Sequence, residues 1–561
     1  MSETVLVIEN GEIDNSSATL IPNAVTWPSI AAMYDIQSAP DANLGNARFA
    51  VTVGNVVGGG SIVNGMLYQR AGQADYDAWK TLGNNGWDWR NMLNYFKKST
   101  TFTPPEAAQT REFDIRYDAN FYGRDGPLQA SYPPFQYPDM KNIWASMKAE
   151  DVAFPKEHGS GNAVGAFWAP TCLDPKTRTR SHARNAYCDK VASTRKNLKL
   201  LTGHRVTEII FNGLTADGVQ VLSHANNKVT PIYARQEVVL AAGAIFAPQL
   251  LQLSGLGPKD VLEAANIKVR KDIPGVGANF QDHPAAISIY NLQNLSFPNP
   301  DTLTQNATFN ASAWQEYTQS ATGPYTQAHG NTFAFLSLSQ ITKDWSTIVS
   351  QIRNQKNPLD YLPAIYKTNP SLLRGFQAQR DIILNMLSTG TAAAGEIPLT
   401  ASGTSITALQ HPLSRGTIHL DPKNPTGNPV VTYNTFQNPA DSAVLASIVR
   451  WVRKHWSRPA LANYSPTEIL PGPNAVTDEA IIGTMAGAGL ILPSFSHPSG
   501  SCAMMPERYG GVVDEQLRVY GVKKLRIVDA SILPLIPAAH IQATMYAVAE
   551  KAADLIKMGP K

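Results

Sequence analysis

Two histidines and one glycine run are the parts of this 561-residue chain best equipped for chemistry. His497 lies in the tight loop Ser496-His-Pro-Ser-Gly-Ser-Cys-Ala-Met504. His540 stands at the head of a run with apolar residues at helical spacing, Met545, Val548, Ala552 and Leu555. An imidazole near its ordinary pKa suits proton removal at neutral pH. Each histidine taken alone reads equally well as a buried structural residue. The glycine run is Gly58-Gly59-Gly60, followed by Ser61 and Asn64. Without Cβ atoms, these glycines let a partner approach the backbone closely, Ser61 adds a hydroxyl, and the Asn64 amide both donates and accepts. A helix starting behind them aims free N–H groups at an anion. By itself such a run also reads as a tight structural turn.

These groups need a scaffold. Val5-Leu-Val-Ile8 is a short β-branched run, predicted as a strand buried in a parallel sheet. Glu9 ends it, and an acid there either accepts hydrogen bonds from a dinucleotide ribose or is a solvated strand-end carboxylate. A dinucleotide-binding unit carries a first strand, G-x-G-x-x-G and a helix ahead of that acid, yet only four residues precede Val5. A sheet without its central strand is expected to leave neighbouring strands unpaired and apolar faces open. Either the chain as given starts at an internal Met, or the protein lacks the fingerprint. Leu198–Leu201, 206–211 and 237–244 are further predicted strands. The segment 243–257 is predicted as a helix with Pro248 in its first turn and Gly255 at its end. Trp87, Trp89, Met92 and Phe96 are predicted core. Residues 26–53, with Pro28, Pro40 and Gly45, are predicted irregular. Arg180 and Arg184, four apart, are expected on one helical face, making surface ion pairs or meeting a phosphate.

The pattern G-N-x-V-G-G-G-S-x-V-N-x3-Y-x2-A-x5-D over 54–77 resembles the first signature of the glucose-methanol-choline (GMC) oxidoreductases, a family of FAD enzymes. Gly243-Ala-Ile-Phe-Ala-Pro-Gln-Leu-Leu-Gln-Leu-Ser-Gly-Leu-Gly257 resembles the second, with Ala247 where the family prefers Ser or Thr. The segments 122–128, 179–187, 274–284, 496–504 and 522–556 also resemble the family. The resemblance implies an α/β FAD-binding, Rossmann-like domain, discontinuous over 1–128, 178–285 and 500–561, with its first βα unit missing. An α+β substrate domain with an antiparallel sheet would comprise 129–177 and 286–499. It implies cofactor contacts from Glu9, Gly58, Gly59, Gly60, Ser61, Asn64, Gly65, Val206, Asp529, Ala530 and Gln542. His497 and His540 would stand at the alcohol carbon and the flavin, one as base and the other as hydrogen-bonding partner, with the roles exchangeable. Asn279, Asp282 and His283 are expected to structure their loop. Some relatives attach FAD through a histidine immediately before the asparagine of the first signature; Val63 stands there, so non-covalent FAD is expected.

The expected activity is oxidation of an alcohol to an aldehyde or ketone by hydride transfer to flavin N5, in secondary metabolism, with O2 or another electron acceptor. The same scaffold also permits a non-redox lyase or cyclase, or an inactive homologue. With 47 basic and 44 acidic side chains, the charge balance gives no reason to expect nucleic acid. No apolar run approaches the length of a membrane span. Three cysteines, Cys172, Cys188 and Cys502, have neither metal-ligand spacing nor a disulfide framework. A small-molecule partner, no metal, and a monomer or homodimer are expected. The N-terminal residues lack a basic region and a long apolar region, so no signal peptide is read and the compartment stays open.

Overall fold

The structure, a computed structural model, describes residues 3–24, 32–148 and 152–559. Residues 26–31, Pro28 among them, lie outside the described residues; of the predicted irregular stretch the described residues 32–53 hold isolated bridges and the short turn Ala42–Leu44.

Val5–Ile8 pairs in parallel with Leu198–Leu201, and Val238–Leu240 pairs in parallel with Leu525–Ile527. These are separate two-stranded sheets. The prediction that Val5–Ile8 is buried is not met: Val5, Leu6 and Val7 are 43, 40 and 44% exposed, and Val239 is 39% exposed. Among the described residues each of these strands has one strand neighbour, so both pairs keep an edge and leave apolar side chains exposed. A three-stranded antiparallel sheet, His204–Asn212, Thr215–Ser223 and Val229–Tyr233, stands beside them.

The second layer is a seven-stranded sheet. Thr467–Leu470, Ala285–Asn291, Thr404–Leu409, Gly395–Pro398, Thr332–Leu336 and Gly165–Trp168 follow one another, with Ile491–Leu492 also on Ala285–Asn291. All of its pairings are antiparallel. The helix Pro439–Trp456 lies on it with Val444, Leu445, Ile448, Val449 and Val452 buried. Its start follows from local chemistry: Pro439 sits in the first turn, and Asn438 Oδ1 accepts from Ala440 N at 3.1 Å.

The C-terminal helix Gln542–Lys557 packs on Trp89–Ser99. Trp87, Trp89, Met92 and Phe96 are buried there as predicted. Lys551 donates to Gly86 O at 2.7 Å and lies 4.7 Å above the Trp87 ring, so its ammonium closes the packing instead of reaching solvent. Cys172, Cys188 and Cys502 are free thiols. Among the described residues no helix is long and apolar enough to cross a membrane.

Pro248 corrects the sequence reading. The helix runs Gly243–Leu253, which puts Pro248 in its interior. A proline has no N–H to give the carbonyl four residues earlier. That carbonyl, Ala244 O, instead accepts from Ser501 Oγ at 2.5 Å. The missing backbone bond thus ties the helix to the loop that carries His497.

Candidate active site

A cavity of about 2840 Å³ runs between the two layers. It exceeds the roughly 300–1,000 Å³ of ordinary small-molecule pockets. Glu9, Gly58, Gly59, Gly60, Ser61, Asn64, Gly65, Val206, Asp529, Ala530, Gln542, His497 and His540 all line it.

At one end the glycine run makes the wall. Gly58 and Gly59 have φ of +109° and +52°, and the single helical turn Gly60–Val63 follows. A Cβ at Gly59 or Gly60 would meet no protein atom within 4 Å, so the backbone there opens onto the cavity. Ser61 spends its hydroxyl within the protein: Oγ donates to Gly58 O at 2.6 Å and accepts from Ala183 N at 3.0 Å. Asn64 Oδ1 accepts from Met66 N at 2.9 Å and from Arg180 Nη1 at 2.7 Å. Arg180 therefore corrects another expectation. It lies ahead of the helical segment, fully buried, and also donates to Asn64 O and Thr19 O. Burial pulls its guanidinium down to about 10. Arg184 is buried as well, pairing with Asp189.

Glu9 ends its strand with Oε1 accepting from Gly11 N at 2.9 Å, and burial raises its pKa. Asp529 ties the start of the helix at Gly243 to its own loop: Oδ2 accepts from Gly243 N at 2.9 Å and Oδ1 from Ser531 N at 2.8 Å. Its carboxyl is raised by burial against these bonds.

At the other end His497 and His540 meet with ring centroids 5.1 Å apart and planes at 88°. Phe495 lies 5.6 Å from His497 and 5.8 Å from His540, and Phe333 lies 5.6 Å from His540. His540 Nε2 is 3.4 Å from Glu396 Oε1, and Glu396 Oε2 accepts from Gln410 Nε2 at 3.2 Å. Burial drives both histidines well below the usual range and pushes Glu396 up to about 8. The common cause is loss of water, which disfavours every charged form. His497 Nδ1 is 2.9 Å from His283 Nδ1.

The loop 282–283 holds this end together. Asp282 Oδ1 accepts from the backbone N–H groups of His283 and His497, at 2.8 and 3.0 Å, and Oδ2 accepts from Ser494 Oγ at 2.6 Å. Asp282 does structure its loop, as expected, but the His283 side chain turns to His497. Glu396 carried no sequence signal; it is a single acid on the strand Gly395–Pro398. The family-like segment 179–187 was the available signal for Arg180.

An FAD-sized ligand fits what is present. The open backbone at Gly59 and Gly60 offers close approach along the wall. Both amide atoms of Gln542, at the start of the C-terminal helix, are buried without a hydrogen bond in good geometry while lining the cavity. A buried amide with hydrogen-bonding capacity to spare is a place for a ligand's polar atoms.

Comparison with known proteins gives the same assignment. The GMC oxidoreductase family models match residues 5–285 and 412–549, the N- and C-terminal parts respectively. Dehydrogenase xptC of Emericella nidulans is 34% identical over 99% of this chain and 89% of its own length. An FAD-dependent oxidoreductase from Chaetomium thermophilum, solved with a butanamide fragment, superposes with TM-score 0.95 at 38% identity, covering 99% of this chain and 95% of that one. A fungal aryl-alcohol oxidase superposes with TM-score 0.93 at 35% identity, with the same coverage. With both family halves matched, and their residues gathered around one cavity, the chain belongs to the GMC oxidoreductases and is an FAD-dependent enzyme of the alcohol-oxidising kind.

Proposed function

We propose that the chain oxidises an apolar, aromatic alcohol of secondary metabolism to its carbonyl compound, with His497 as base and His540 as hydrogen-bonding partner on the substrate oxygen. The observation that carries this reading is the meeting of the two imidazoles at 5.1 Å on the wall of the cavity that the glycine run also lines. FAD, when bound, supplies the hydride acceptor that no side chain provides. It would be held by the backbone at Gly59 and Gly60, by Asp529 and Ala530, and by Gln542. His497, kept neutral by burial, takes the hydroxyl proton on Nε2, the ring nitrogen that does not face His283. His540 orients the oxygen from beside Glu396. Phe333 and Phe495 flank the histidines, exclude water and favour a flat apolar substrate. The likeness to a fungal aryl-alcohol oxidase supports the same substrate class.

FAD is held without a covalent bond in this reading, because Val63 stands where the histidine of covalent relatives would be. Acid precipitation should leave flavin in the supernatant; yellow pellet would overturn it. The test of function is anaerobic addition of benzyl alcohol to FAD-loaded protein. Loss of the flavin's visible absorbance is expected. Bound flavin that never bleaches, with non-redox turnover of a cyanohydrin, would overturn oxidation in favour of a lyase.

A further inference from the structure

We infer that His283 is the positioning residue of this site: through the contact between the two Nδ1 atoms it selects the His497 tautomer able to act as base. This rests on the assignment of His497 as base. The two nitrogens are 2.9 Å apart. At that distance they share one proton, so one ring donates and the other accepts. The choice decides the chemistry. If His283 donated, neutral His497 would carry its own proton on Nε2 and have no lone pair for a substrate hydroxyl. If His497 donates, its Nε2 lone pair is free on the opposite edge of a ring that lines the cavity.

The placement of the two rings selects the second arrangement. Nε2 is the His497 nitrogen left toward the cavity, so the base role puts the His497 proton on Nδ1 and makes His283 Nδ1 the acceptor. The His283 ring is fully buried and its Nε2, which then carries the proton, makes no hydrogen bond of good geometry; the Gln410 backbone is the group that favours a proton on this ring. The backbones of both histidines are pinned to the one Asp282 carboxyl, so neither ring can drift out of register with the other. When Nε2 of His497 takes the substrate proton, the ring becomes an imidazolium and the Nδ1–H bond to His283 becomes charge-assisted. A neutral acceptor does this without burying a second charge. The other titratable groups around the pair are His411 with its partner Asp75, His540 with its partner Glu396, and Asp282.

The test uses FAD-loaded His283→Leu, His283→Asn, His283→Gln and His497→Ala proteins, read as kcat/KM against pH. An asparagine oxygen reaches the place of Nδ1; a glutamine oxygen reaches that of Nε2. His283→Leu is expected to lower the plateau on the order of 10²-fold. It should also move the acid limb to lower pH, since the imidazolium loses its acceptor. His283→Asn is expected to restore at least about tenfold more activity than His283→Gln, which separates tautomer control from packing even if His283→Leu does not fold. Equal activity of the Asn and Gln proteins, or a His283→Leu protein with wild-type plateau and limb, overturns the inference. Full activity of His497→Ala would overturn instead the assignment of the base on which it rests.

Discussion

At the glycine end of the cavity the atoms that face open space are backbone, whereas at the histidine end they belong to rings locked by buried partners. Gly59 and Gly60 offer an unobstructed main chain, and the nearby side chains Ser61 and Asn64 are turned inward to hold the loop. His497 and His540 have the opposite construction: they line the cavity with their rings, and each ring has a dedicated neighbour, His283 and Glu396. A backbone wall tolerates many side chains nearby, and a Cβ added to it takes up the space left for a ligand. A ring site tolerates no change in the rings or in the groups behind them. Damage at the two ends should therefore separate into loss of cofactor and loss of rate.

The strongest test of that separation is His497→Ala. Removing the base should lower the rate of flavin reduction by alcohol on the order of 10²–10⁴-fold. Flavin content should stay unchanged, read by stopped-flow and absorbance. Loss of flavin together with rate would break the contrast. Arg180→Met comes next. It strips the buried donors from Asn64 O, Asn64 Oδ1 and Thr19 O. Asn64 Oδ1 keeps the Met66 N–H, so the two carbonyls are the acceptors left short; at roughly 1–3 kcal/mol per unsatisfied acceptor, a stability loss of about 2–3 kcal/mol by denaturant titration is expected, with weakened FAD binding. An unchanged midpoint would mean that the loop holds without its anchor.

Gly59→Val is expected to be smaller. At φ +52° and ψ −135°, a backbone conformation kept by glycine, a side chain costs roughly 1–3 kcal/mol of stability, read by denaturant titration, and it projects into the cavity, which should weaken FAD binding. The loaded fraction should keep the wild-type rate of reduction; a slower rate would show that the two ends are coupled. The last test is Glu396→Gln, read as melting temperature against pH. Glu396 has its folded pKa raised from 4.5 to about 8. The native state thus binds the proton more tightly than the unfolded state, and the resulting stability is present in full below about 4.5 and lost as pH rises through about 8. Glutamine does not titrate, so the melting temperature of the variant relative to wild type should climb from pH 5 to pH 9. A constant difference would refute the burial argument for this carboxyl.

The glycine run, the Pro/Gly loop of His497 and the helix behind His540 were legible because each is local. Glycine stereochemistry, helical spacing and family pattern act over a few neighbouring residues. The strand Val5–Ile8 was legible as a strand and misjudged in burial. A β-branched run sets the backbone, but exposure depends on whether a neighbour lies alongside. Pro248 was read as a helix start because that is its commonest tolerated place; Ser501, from the His497 loop, supplies the bond that lets it sit in the interior.

By itself, then, the amino-acid order determined the family, the two-layer α/β and α+β plan, and the identities of the cavity-lining residues that local motifs carry. Only the tertiary structure decided which groups stand behind them. Arg180 meets Asn64 across 116 positions, and His283 meets His497 across 214. No spacing rule reaches that far, because such pairs are chosen by packing of the whole core. The same packing removes water from Glu396 and from the histidines, and so turns ordinary titratable side chains into a set held neutral at the site of chemistry.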